Sequence, residues 1–185
     1  MEWDIKNWHE ATSCFKQSYQ IEPNQQTLAA FGHCAEEAGE LGIFADACEA
    51  RLIEQPDDHE VRYMLGRTFV NMAIKDPSDS SKTWRNTEYL REYLRKAEEQ
   101  LATFLSIDPV SADGNYWMGI IFSMTDRLDE ATNIVVKLKN IDSEKSEDLA
   151  DMIHFPASTT PLQPTANGSQ VDRDPDSIPV AELMY

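Results

Sequence analysis

Three glycines hold a fixed phase along this chain, and that phase limits the fold more than any other feature. Phe31-Gly32-x-x-Ala35 recurs as Leu65-Gly66-x-x-Phe69 and again as Met118-Gly119-x-x-Phe122. Gly32 and Gly66 are 34 residues apart; Gly66 and Gly119 are 53 apart, an excess of 19. A second motif shares the period. Ala11-x-x-x-Phe15…Pro23 recurs as Ala97-x-x-x-Leu101…Pro109 and as Ala131-x-x-x-Val135, with Ala97 and Ala131 34 residues apart. Gly66 precedes Ala97 by 31 residues and Gly119 precedes Ala131 by 12, again a difference of 19. One insertion of that length between two helices accounts for both gaps. A glycine inside a helix costs roughly 1 kcal/mol against alanine. Three at one phase therefore point to close approaches between helix backbones. Chance spacing in an unrelated bundle would not put two independent motifs on one period.

These residues resemble the tetratricopeptide repeat (TPR) family. Its 34-residue helix–turn–helix units carry a large-apolar–Gly pair in the first helix and an Ala-x3-aromatic…Pro half in the second. The resemblance covers residues 8–142 and is fullest in Tyr116-Trp117-Met118-Gly119…Arg127-Leu128-Asp129-Glu130-Ala131. In the second unit Phe44 stands where a small residue is expected. The resemblance implies an all-α, TPR-like helix-turn-helix solenoid of about 3.5 repeats, a C-terminal capping helix and a flexible acidic tail. Such motifs are packing motifs, so they speak to fold and hardly to function.

The segmentation follows. Residues 1–7 are too short for a full first helix, so the array is expected to begin with a second-type helix over 8–22. Helices over 25–39, 43–55 and 58–75 come next, with Pro23, Pro56 and Pro109 ending the second helix of each pair. A helical insertion near 76–94 lengthens the following helix. There Tyr89, Leu90, Tyr93, Leu94, Ala97, Leu101, Phe104 and Leu105 form an i, i+3, i+4 stripe. Helices over 112–124 and 128–141 complete the array. A polar stretch from Ser143 with Leu149, Met152 and Ile153 reads as the cap that a repeat stack needs over its exposed end. The array is thus assigned to 1–155 and a Pro/Ser/Asp-rich tail to 156–185.

Charge and motif content narrow the functions. The formal net charge is −17, of which −6 lies from Glu144 onward. Nucleic acid and anionic membrane are poor partners for such a chain. Its seven glycines in 185 residues disfavour turn-rich sandwiches and barrels. The start, MEWDIKNWHEA, lacks a basic and apolar leader, and Cys14, Cys34 and Cys48 lack metal or redox spacing. A cytoplasmic protein with reduced thiols is the expectation. There is no P-loop, GxGxxG, HExxH or GxSxG, and His9, His33, His59 and His154 share no ligand spacing. The expectation is therefore no enzyme, no catalytic residue, no metal and no cofactor.

In TPR-like stacks the first helix of each pair lines a concave surface. Phased from the glycines, Gln26, Ala29, Ala30 and His33 face inward, as do Tyr63, Met64, Arg67 and Asn71, and Tyr116, Trp117, Ile120 and Met124. This set is mostly apolar and aromatic, the chemistry of binding hot spots. TPR co-chaperones hold acidic C-termini with Lys, Arg and Asn. Here the matching positions include Ala29, Ala30, His33, Glu60, Met64, Asp113 and Trp117, so that clamp is missing. The expected function is a non-catalytic adaptor or scaffold binding an apolar or basic protein segment. The alternative is an acidic TPR chaperone of bacterial type III secretion, similar in length, acidity and repeat number. Trp84, Arg85, Tyr89 and Tyr93 in the insertion offer another contact surface. The tail turns apolar again at its end. Ile178, Val180, Leu183, Met184 and Tyr185 are read as a docking segment for the chain's own groove, a second copy or a partner, with self-association through the tail or the array ends as one outcome.

Overall fold

The computed structural model describes residues 2–75 and 88–154, and among these the chain is all helical, with eight helices and no strand. They are α1 (Glu2–Ile21), α2 (Gln25–Ala38), α3 (Leu41–Glu54), α4 (His59–Lys75), α5 (Glu88–Ile107), α6 (Ala112–Met124), α7 (Leu128–Leu138) and α8 (Ser143–His154).

The even-numbered helices start in the same way. The first turn of a helix leaves backbone N–H groups without intrahelical partners, and a short polar side chain can accept from one of them. Asn24 Oδ1 accepts from the Thr27 amide at 2.8 Å, and Asp58 Oδ1 from Val61 at 3.2 Å. Ser111 Oγ accepts from Gly114 at 3.2 Å, and Asp142 Oδ1 from Lys145 at 3.2 Å. Asn24, Asp58 and Ser111 each lie eight residues before a phase glycine.

The even helices also stop alike where no insertion follows. Seven residues after Gly32 comes Gly39, with φ +73°; seven after Gly119 comes Asp126, with φ 60°. In both turns the next amide reaches back to the same place. Glu40 N–H donates to Ala35 O at 2.8 Å, and Arg127 N–H to Phe122 O at 2.8 Å. This is one left-handed helix cap used twice. At the matching position in α4 stands Ala73, buried and still helical. There α4 runs on to Lys75, and the sequence carries its extra residues after it.

Each helix packs on the next along the chain, and α6 also meets α4 and α8. The phase glycines sit in these contacts. A Cβ on Gly32 would lie 2.8 Å from Phe44 Cζ, and one on Gly66 2.7 Å from Leu101 Cγ. One on Gly119 would collide with Leu149 of α8 and come within 3.1 Å of Ile134 of α7. Phe44 thus occupies the space that a small residue in α3 would leave, and its ring is edge-to-face with Phe31 at 5.2 Å. Phe31, Leu101, Ala97, Ala131, Leu138 and Leu149 are fully buried. The Ser146 hydroxyl of α8 donates to Val135 O at 2.9 Å and ties the last helix down.

Two boundaries differ from the sequence reading by three residues or more. Helix α1 begins at Glu2, because no glycine or proline interrupts residues 2–21. Helix α7 ends at Leu138, where the amides of Asn140 and Ile141 turn back to Lys137 O and Leu138 O. Most of the insertion, with Trp84 and Arg85, lies outside the described residues, as do residues 155–185 with the proposed docking segment. Tyr93 stacks on Phe69 at 6.0 Å, inside the fold.

The cysteines divide by environment. Cys14 is exposed, whereas Cys48 is fully buried and its thiol is pushed up to about 12 by desolvation, then by Asp58 and Glu49. A thiol with a raised folded-state pKa stabilises fully below its unfolded value and loses that contribution as pH rises toward the folded one. Between pH 8 and 10.5 the native chain should lose about 2 kcal/mol more than Cys48→Ala does. Urea midpoints of both proteins at the two pH values check this; parallel losses would contradict it.

Candidate interaction face of α2, α4 and α6

The even helices carry a connected run of side chains on one face. Glu36 of α2 accepts from two residues of α4: Arg67 Nη2 at 2.9 Å and Asn71 Nδ2 at 3.2 Å. The Arg67 guanidinium also lies over the Trp117 ring of α6, 5.8 Å from its centroid. One arginine therefore links three successive even helices, through a charged hydrogen bond on one side and a cation–π contact on the other.

Aromatic residues surround this link. Trp117 is edge-to-face with Tyr116 at 5.8 Å. Tyr63 packs on Phe104 at 5.3 Å. Burial raises the Tyr63 phenol, as does Asp113; a hydrogen bond from Trp117 and the charge of Arg67 act the other way. Tyr116 is raised mainly by burial and then by Asp148. At the α1 end, Trp8 is edge-to-face with His33 at 5.5 Å. Lys145 of α8 bridges to Asp113 at 3.3 Å and to Asp142 at 2.9 Å, closing the other end.

Between α2 and α4 this face opens into a cavity of about 140 Å³. Five of the residues singled out from sequence line it: Ala29, His33, Met64, Arg67 and Asn71. Tyr63, Tyr116, Trp117 and Met124 are partly buried against the core. Ile120 is placed differently. It is 3 % exposed and belongs to the core, because α6 packs against α4, α5, α7 and α8 and leaves little of its surface open. The polarity differs as well. The face was expected to carry little charge, but Glu36 and Arg67 stand at the cavity's edge. Glu36 and Trp8 were missed. Glu36 sits 31 residues from Arg67, and no local pattern marks the pair.

A larger cavity, about 400 Å³, opens among the ends of α1 and α3 and the starts of α2 and α4. Its Asp58 is already engaged, by Arg51 at 3.4 Å and by the cap of α4. Among the described residues no group of His, Cys, Asp and Glu is placed to hold a metal ion, and no helix is long and apolar enough to cross a membrane. No protein-family model, curated protein or solved structure matches this chain.

Proposed function

We propose that the chain is a TPR-like solenoid whose α2–α4–α6 face is a groove for a protein segment, and that it works as a non-catalytic adaptor. The observation that carries this reading is the Glu36–Arg67–Trp117 link with its flanking aromatics. Arginine, tryptophan and tyrosine supply most of the binding energy at protein interfaces. The recurrent caps and turns support the repeat: the same device opens α2, α4, α6 and α8, and the same left-handed cap closes α2 and α6. The partner is apolar or basic, because the chain's net charge of −17 repels acidic segments.

Arg67→Ala removes the link while leaving the core in place, since the Arg67 side chain is 44 % exposed. Its melting temperature should move by only a few degrees. Retention of a partner captured by the unaltered protein should fall by about tenfold or more. Asp46→Ala, on an exposed position of α3, serves as the control. Equal retention by the unaltered protein and Arg67→Ala would remove this reading.

A further inference from the structure

Resting on the groove reading, we infer that the cavity between α2 and α4 is a socket for one apolar side chain of the bound segment, up to Phe in size. Its volume of about 140 Å³ is close to the ~150 Å³ of apolar cavities that admit a benzene ring. An indole is larger than that. The apolar part of the lining comes from Ala29, Gly32, Leu41, Phe44 and Met64. Gly32 lets the Phe44 ring stand as one wall, because the ring rests directly against the bare α-carbon.

The polar edge selects against a charged guest. Arg67 and Asn71 both donate to Glu36. A lysine entering here would compete with Arg67 for Glu36, and a glutamate would meet Glu36 itself. A charged guest must break or oppose the charged hydrogen bond that Glu36 already accepts, whereas an apolar guest leaves it intact. Around the socket the sign is negative: Glu37 is exposed on the same helix, and the chain as a whole carries −17. Charge complementarity therefore commits the occupant to a segment of a separate protein, with an apolar residue between basic ones.

The test uses the full chain, methyl-labelled, and pentapeptide probes acetyl-Lys-Gly-X-Gly-Lys-amide, with X as Gly, Leu, Met, Phe, Trp or Lys. NMR titrations read the Met64 and Ala29 methyls and the Trp117 indole N–H. Leu, Met or Phe at X should bind about tenfold tighter than Gly or Lys and shift both methyls saturably. Trp should lose that gain. Ala29→Phe, which fills the cavity from an exposed position, should abolish the preference without unfolding the chain. Affinity independent of X, or no shift at Met64 and Ala29, overturns the socket. If Trp117 still shifts in that case, the groove reading survives without it; silence of all three resonances counts against both. Binding only after deletion of 176–185 would make the chain's own tail the occupant and overturn the proposal of a separate partner. Binding only on dilution would make the occupant a second copy, with the same consequence.

Discussion

Gly119→Val is expected to destabilise the folded chain by about 3 kcal/mol and to lower its melting temperature by roughly 6–12 °C. The backbone of α6 meets two helices at this residue. Even the first added carbon would collide with Leu149, and Ile134 lies 3.1 Å away on the other side. Leu149 is fully buried, so its methyls have no solvent to move into. The two further methyls of valine force α7 or α8 off α6. The cost is steric, so it should be relieved by making room. Gly119→Ala combined with Leu149→Ala should cost less than the two single changes added together, because the new methyl refills part of the vacated space. Gly42→Ala should have the opposite sign. Nothing lies within 4 Å of a Cβ at Gly42, which is exposed in the first turn of α3. There alanine should stabilise by up to about 1 kcal/mol through helix propensity alone. Thermal melts of these variants decide the matter. Equal effects at Gly42 and Gly119 would mean that the glycines keep no close contacts.

Phe31→Ala is expected to cost about 3–5 kcal/mol. Phe31 is 0 % exposed, and its ring lies edge-to-face on Phe44 at 89°. It also floors a shallow trough between α1 and α3, lined by Tyr19, Ile43 and Ala47. Truncation removes the floor of that trough and the support of the Phe44 ring together. Phe44 in turn backs Gly32, so the loss reaches the packing of α2 on α3. A loss of this size is a large part of the ~5–15 kcal/mol that holds a domain folded. The urea midpoint should fall sharply with little change in slope. A loss under 1 kcal/mol would mean that Phe31 is not in the core.

The packing of this chain was legible because it depends on residues that cannot be exchanged. Gly32, Gly66 and Gly119 mark where helices touch, and their spacing located four of the eight helices (α2, α3, α4 and α6) to within about two residues at each end. The caps were equally legible and went unread. Asn24, Asp58 and Ser111 precede the glycines by eight residues each, on the same period. The start of α1 was misjudged by comparison with a family pattern, although no residue in 2–21 opposes a helix. The face was harder. His33, Met64, Arg67 and Asn71 do converge, because helical phase sets direction to within about one residue. Ile120 shows the limit of that argument: α6 meets four other helices, so a position phased toward the face is buried in the core. Glu36 shows a different limit. An acid beside another acid reads as solvated surface, and only the fold brings Arg67 to it.

The central claim, that the α2–α4–α6 face holds a protein segment, is tested most directly by site-specific photo-crosslinking in cells. A benzophenone side chain placed at His33 or Tyr116 reports on that face. The same group at Ala50 of α3 or Ala102 of α5, both exposed, reports on the other layer. We predict one shared protein adduct from His33 and Tyr116 and none from Ala50 and Ala102. Adducts of equal yield from all four positions, or none from His33 and Tyr116, would contradict the account.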